Sequence, residues 1–173
     1  EVEAPKEGHG YLGNARSGVK EIFANKMRIK VRSLVYRNIF LENKDMPAWF
    51  SKVRYGDVPL SFLLGKHGDF LFMEDEMAVY RSTNVGVSSK GNEHPDWFFE
   101  HYIAWVKVWC CGDSHYQGEF HAEAMETVQD FYLKILDRYK GKIKYKSKLF
   151  FFTLFSLDQS LKDFKAQIDE ELR

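Results

Sequence analysis

Asp57 is the carboxylate with the clearest chemical potential in this 173-residue chain. It follows Gly56 and precedes Pro59, a pattern that predicts the start of a helix. A carboxylate at a helix start can cap the helix by accepting backbone N–H bonds. It can also keep one oxygen available to take a proton from a bound hydroxyl group, which is the geometry of a general base. The residues alone leave both roles open.

Arg81 is the cation with the clearest chemical potential. It ends an apolar strand pattern and enters a loop rich in Ser, Thr and Gly. Its planar guanidinium can bind a phosphate, or it can pair with the acidic residues 74–76. Those three carboxylates indicate a solvated turn rather than a site for a hard cation.

The histidines and cysteines do not form a recognisable metal site. Five candidate ligands lie near one another in the sequence: His94, His101, His115, His121 and Glu123. Their spacing matches none of the usual zinc patterns, so we predict no metal site in this chain. The only cysteines, Cys110 and Cys111, are adjacent and lie in an apolar helical pattern. This placement predicts core packing rather than a disulfide or a reactive thiol.

Charge and hydropathy exclude two classes of function. The 25 Lys and Arg residues balance 25 Asp and Glu residues, so the chain lacks the basic surplus of a nucleic-acid-binding protein. The longest apolar run, residues 149–155, is far shorter than the roughly 20 residues needed to cross a bilayer. We expect a cytoplasmic protein that folds around a substantial core.

Hydrophobic periodicity predicts an α/β chain in three parts. Residues 1–16 are predicted to be a flexible lead-in, 17–90 an α/β region, and 91–173 a mainly helical extension. The individual elements are a helix with its N-cap at Ser17, a strand over 29–36, a helix from Asp57 that stops at Gly68, strands at 70–73 and 77–81, a loop at 82–92, and helices over 96–111, 117–139 and 146–172.

Four segments in the first half of the chain together resemble family 2 glycosyltransferases, inverting enzymes with a GT-A fold that use nucleotide sugars. They are Leu-Val-Tyr-Arg-Asn at 34–38, Pro-Ala-Trp-Phe at 47–50, Gly-Asp-Val-Pro-Leu-Ser-Phe-Leu-Leu-Gly-Lys-His-Gly at 56–68, and Met-Ala-Val-Tyr-Arg-Ser-Thr-Asn-Val-Gly-Val-Ser-Ser at 77–89. Their order and spacing match the second half of the family's catalytic domain.

The resemblance implies roles for individual residues. Asp57 is similar to the family's catalytic base, which deprotonates the acceptor hydroxyl, and Arg81, Ser88 and Ser89 lie where the family contacts the donor diphosphate. Thr83 stands where the family has a histidine. The implied partners are a nucleotide-sugar donor and a glycan or lipid-linked acceptor.

The resemblance also implies that this chain is the acceptor-side half of such a domain, with a partial GT-A-like sheet. The family's nucleotide-binding units and its Asp-x-Asp pair, which holds Mn²⁺ or Mg²⁺, precede the matched region. Residues 1–20 contain neither feature, so we expect the metal ligands to lie outside this chain. A second hypothesis is a non-catalytic binding or interaction fragment that keeps half of the transferase fold without a donor site.

Two further features have alternative interpretations. Trp49, Phe50 and Tyr55 either line the acceptor cleft, where their flat rings suit the apolar face of a pyranose, or fill the core. The helix predicted from Lys146 mixes apolar and basic residues. This helix either packs on the domain or lies on the inner surface of the membrane, near lipid-linked acceptors.

Overall fold

The computed structural model describes residues 16–27, 29, 33–40, 46–73 and 95–139. Within these ranges it contains four α-helices: α1 (Val19–Phe23), α2 (Asp57–Gly65), α3 (Pro95–His115) and α4 (His121–Tyr139). A short 3₁₀ helix spans Phe50–Lys52, and strands β1 (Arg16–Ser17) and β2 (Phe70–Leu71) complete the set. The described part is 60% helical, so the fold is mixed but dominated by helices.

The two strands pair antiparallel, with Arg16 opposite Leu71 and Ser17 opposite Phe70. The strand predicted at Phe70 is therefore confirmed over two of its four residues. The predicted N-cap at Ser17 is wrong, because Ser17 lies in β1 and Gly18 is the N-cap of α1. Arg16, placed in the flexible lead-in by its polar surroundings, is held in β1 by its pairing with β2.

The strand predicted over residues 29–36 is wrong for its later half. Residues 34–38 adopt neither helix nor strand, and the side chain of Val35 is 77% exposed. A strand requires a hydrogen-bonding neighbour, and alternating side chains do not encode where that neighbour is. Among the described strands, β2 pairs with β1 instead.

Phe23 lies at the centre of the hydrophobic core and is fully buried. Its ring stacks on Phe62 of α2, with centroids 4.3 Å apart, and on Phe120 at 5.2 Å, while Tyr116 meets it edge-on at 5.4 Å. Burial of a phenylalanine side chain contributes about 1.5–3 kcal/mol. This one residue therefore joins α1, α2 and the connection between the two long helices.

The carboxyl end of α1 is fixed by hydrogen bonds from both long helices. The carbonyl oxygen of Phe23 accepts the indole N–H of Trp109 at 2.8 Å and the hydroxyl of Thr127 at 2.7 Å, and all these groups are buried. The last carbonyls of a helix lack partners within the helix. Here both lone pairs of one such carbonyl are used, one by α3 and one by α4.

The two long helices confirm the helical pattern predicted for 96–111 and 117–139, but the break between them falls later. Helix α3 continues through Gly112 to His115, and the turn at 116–120 contains Gln117 and Gly118 with φ of 55° and 79°. Glycine inside α3 is explained by packing: a Cβ at Gly112 would lie 2.7 Å from the Phe62 ring. The glycine that predicted a break instead allows α2 to approach.

Helix α2 begins at Asp57 as predicted, but it ends at Gly65 rather than at Gly68. Residues on both sides of the predicted boundary at residue 90 contribute to one hydrophobic cluster, for example Phe62 and Trp109. The boundary itself, the strand at 77–81, the loop at 82–92 and the helix over 146–172 lie outside the described residues. No helix in the described ranges is long and apolar enough to cross a bilayer.

Candidate functional site

Asp57 is the first residue of α2, and its side chain accepts one of the N–H groups of the first helical turn. The N-cap position is Gly56, which makes no side-chain capping bond. The Asp57 Oδ1 atom accepts the N–H of Val58 at 3.0 Å. Its Oδ2 atom accepts no hydrogen bond from the described residues, yet it is not a buried polar atom, so it reaches the protein surface. Both roles considered from the sequence are therefore compatible with this geometry: one oxygen binds a first-turn N–H group and the other accepts no hydrogen bond from the described residues.

The first turn of α2 is held rigidly beneath Asp57. Val58 and Pro59 are buried, and the buried Ser61 donates its hydroxyl proton to the backbone carbonyl of Asp57 at 2.9 Å. A negative side chain in the first turn is further stabilised by the helix dipole, by about 0.3–1 kcal/mol. The core face of α2 therefore fixes the position of the carboxylate.

The chain before α2 runs along α3 in the antiparallel direction. Trp49 lies beside His115, with ring centroids 5.7 Å apart, whereas Tyr55 stacks on Trp105 at 4.4 Å. Arg54, the neighbour of Tyr55, pairs loosely with Glu100 at 3.9 Å, and both side chains are exposed. This path brings Tyr55, two residues before Asp57, against the middle of α3.

Four aromatic side chains form what we call the aromatic cluster: Tyr55, Trp97, His101 and Trp105. Trp97 stacks on His101 with centroids 4.5 Å apart, and Tyr55 meets the same imidazole nearly edge-on at 5.4 Å. Two hydrogen bonds connect the rings, one between Tyr55 Oη and His101 Nδ1 at 2.5 Å and one from the Trp105 indole N–H to His101 Nε2 at 3.0 Å. All four side chains are partly exposed.

The Asp57 carboxylate contributes to the raised pKa of the Tyr55 hydroxyl. Burial raises the pKa of Tyr55, with an opposing effect from Arg54 and a further increase from the Asp57 carboxylate. The phenol therefore keeps its proton at neutral pH. Asp57 thus lies two residues from a protonated hydroxyl that belongs to a set of partly exposed aromatic rings.

Trp49 and Phe50 do not join Tyr55 in the aromatic cluster. Trp49 and Phe50 contact each other at 6.1 Å. Trp49 lies beside His115, about 21 Å along the helix axis from His101 at 1.5 Å per residue. In the described part of the chain the indole N–H of Trp49 is buried without a hydrogen-bond partner. A role for Trp49 and Phe50 in an acceptor cleft stays a prediction, while Arg81, Thr83, Ser88 and Ser89 lie outside the described residues.

Two described histidines outside the aromatic cluster, His115 and His121, have side-chain partners within the protein. His121 lies at 2.7 Å from the buried Asp113 carboxylate, through Nδ1, and His115 meets Tyr116 edge-on. In the described ranges no group of three or more His, Cys, Asp or Glu residues is placed to hold a metal ion. Burial raises the pKa of the Cys111 thiol, and Cys110 packs against the core, as predicted from the apolar pattern.

Sequence reasoning missed the contribution of α3 to the site. Its signal was present: Trp97, His101, Trp105 and Trp109 recur at intervals of four residues, which places aromatic rings on one face of a helix. The spacing alone does not reveal that Tyr55 packs on this face, 46 residues before His101.

Comparison with known proteins identifies no relative of this chain: no family model, no curated protein and no solved structure matches it.

Proposed function

We propose that this chain forms the acceptor side of an inverting glycosyltransferase, with Asp57 as the catalytic base. The observation that carries the proposal is the Asp57 carboxylate, fixed at the first residue of α2 with Oδ2 at the protein surface. The resemblance of residues 56–68 to family 2 glycosyltransferases supports the same role for this aspartate.

In the proposed reaction, Asp57 Oδ2 takes the proton of an acceptor hydroxyl while that oxygen attacks the anomeric carbon of the donor sugar. The new carbon–oxygen bond forms on the face opposite the bond to the nucleotide diphosphate. That second bond breaks, the diphosphate leaves with the electron pair, and the anomeric configuration inverts. A positioned general base typically contributes about 10²- to 10⁴-fold to the rate.

The aromatic cluster supports a sugar as the acceptor. Tyr55 and Trp105 present stacked, partly exposed rings, and Tyr55 precedes Asp57 by two residues. Aromatic rings provide a large apolar surface with a polar edge, which suits the alternating apolar and hydroxylated surface of a pyranose. The proposed partners are accordingly a nucleotide-sugar donor and a glycan or lipid-linked acceptor.

The divalent cation implied by the resemblance does not fit the described residues, because they contain no suitable group of ligands. No step of the proposed chemistry on this chain depends on it. We propose that Mn²⁺ or Mg²⁺ is held by the donor side, with Arg81, Ser88 and Ser89 contacting the diphosphate.

The aromatic cluster also favours a second candidate, a carbohydrate-binding fragment without catalytic activity. A binding fragment needs the partly exposed rings of Tyr55 and Trp105 but has no use for a fixed proton acceptor. Replacement of Asp57 therefore separates the two functions, because only a transferase depends on the loss of a proton from the acceptor.

The test is Asp57→Asn in the enzyme that carries both the donor and the acceptor sides. We expect the substitution to abolish sugar transfer and to leave nucleotide-sugar binding, measured by calorimetry, unchanged. Asp69→Asn is the matched control, because Asp69 is an exposed carboxylate just beyond the end of α2. Unchanged transfer by the Asp57 variant would refute the proposed function.

A calorimetric titration tests whether this chain contains only the acceptor side. Uridine diphosphate with Mn²⁺ is added to the 173-residue chain, and little heat of binding is expected. Strong binding would show that a donor site is present and would contradict the assignment.

A further inference from the structure

The hydrogen bonds around His101 have only one consistent direction. The Trp105 indole nitrogen carries a hydrogen and can only donate, and it lies 3.0 Å from His101 Nε2. His101 Nε2 must therefore be the acceptor, which means that it carries no proton. A protonated Nε2 would place two donors against each other.

This arrangement determines the tautomer of the imidazole. A neutral histidine carries its single proton on one of two ring nitrogens, and the hydrogen bond made by one nitrogen selects the state of the other. Because Nε2 accepts from Trp105, the proton of His101 is on Nδ1. The Nδ1–H group then donates to Tyr55 Oη over the observed 2.5 Å.

The Tyr55 hydroxyl oxygen therefore accepts the hydrogen bond from His101 Nδ1–H, and the hydroxyl proton of Tyr55 can donate to another group. No side chain or carbonyl in the described ranges accepts that proton. The phenol ring is held against Trp105 at 4.4 Å with an interplanar angle of 17°, so its orientation is fixed as well.

We propose that Tyr55 donates a hydrogen bond to a hydroxyl oxygen of the acceptor sugar, and that His101 and Trp105 are the positioning residues that set the direction of this bond. The inference rests on the proposed function. Asp57 is an acceptor only, and Tyr55 supplies the missing donor, so the pair fits a sugar with one hydroxyl that gives a proton and another that receives one. The substrate class is thus a glycan that presents at least two hydroxyl groups.

The direction of the bonds is measured by long-range ¹H–¹⁵N NMR on the 173-residue chain, with the His101 signals assigned from a His101→Gln variant. We expect the Nδ1–H tautomer at neutral pH. Trp105→Phe removes the donor while keeping a ring in the stack, and we expect the Nε2–H tautomer to become populated. Trp97→Phe is the matched control, because Trp97 stacks on His101 but makes no hydrogen bond to it in the described structure. An Nε2–H tautomer in the wild type, or no change in Trp105→Phe, would overturn the proposed direction.

The role of Tyr55 toward the sugar is measured in the transfer assay. Tyr55→Phe removes one neutral hydrogen bond, and we expect the acceptor KM to rise about three- to tenfold. Tyr102→Phe, on the same helix as His101 and packed toward Phe131, should leave the acceptor KM unchanged. Equal acceptor KM values in wild type and Tyr55→Phe would overturn the inference.

The two proposals fail separately. Wild-type turnover in Asp57→Asn, with the Nδ1–H tautomer present, would refute the transferase and leave the hydrogen-bond direction intact. A wrong tautomer with normal dependence on Asp57 would refute only the role of His101 and Trp105.

Discussion

The Phe62 ring of α2 occupies the space that a side chain at position 112 of α3 would need. A Cβ at Gly112 would lie 2.7 Å from two carbons of that ring and 3.2 Å from the ring of Phe23. The close approach of α2 and α3 holds Asp57, at the start of α2, at a fixed position relative to His101 on α3.

Gly112→Ala should therefore destabilise the fold. Alanine improves helix propensity by about 1 kcal/mol over glycine, but overpacking of a tight core contact costs about 1–3 kcal/mol, and the rings of Phe62 and Phe23 have little room to move. We expect a lower free energy of unfolding in urea. Ser114→Ala, at an exposed position of the same helix, should change stability by less than about 0.5 kcal/mol. A Gly112→Ala variant more stable than wild type would contradict this packing.

Thr127→Val should weaken the attachment of α1 to α4. Valine keeps the shape of threonine but removes the hydroxyl that donates to the Phe23 carbonyl at 2.7 Å. The carbonyl keeps its bond from Trp109, so the loss should be about 0.5–1.5 kcal/mol in the free energy of unfolding. An unchanged unfolding midpoint and slope would show that this bond does not contribute.

Stability should fall at mildly acidic pH because of His115. Burial, with a smaller contribution from the Lys66 ammonium group, lowers the pKa of His115 below its ordinary value of 6.5. The unfolded chain then binds a proton more readily than the folded protein. The contribution of neutral His115 to the free energy of unfolding is therefore complete above about pH 6.5. It is lost as the pH falls below this value toward the lower pKa that His115 has in the folded protein.

The measurement is the free energy of unfolding at several values between pH 5 and pH 8. We expect His115→Gln to show a smaller decrease than wild type on acidification. His67→Gln is the control, because His67 is exposed. If wild type and His115→Gln show the same pH dependence, His115 is not the cause of the lower stability at acidic pH.

Sequence patterns predicted the helices that position the site. Gly56, Asp57 and Pro59 marked the start of α2, and the apolar spacing after residue 95 marked the two long helices. These signals are local, since capping preferences and helical periodicity act over a few residues. They are sufficient to predict that α2 begins at Asp57.

Long-range relationships could not be predicted in the same way. The alternation at residues 29–36 fits a strand, but β2 pairs with Arg16 and Ser17, which carry no strand signal of their own. Likewise, nothing near Tyr55 indicates that its hydroxyl meets His101. The sequence could therefore place Asp57 at a helix start but could not assemble the aromatic cluster beside it.

The most direct test of the central claim is the turnover number at saturating acceptor for wild type, Asp57→Asn and Asp57→Glu. We predict a decrease of about 10²- to 10⁴-fold for the asparagine variant, because the amide cannot accept the proton, with partial recovery in the glutamate variant, which restores a carboxylate. A turnover number for Asp57→Asn equal to that of wild type would contradict the account.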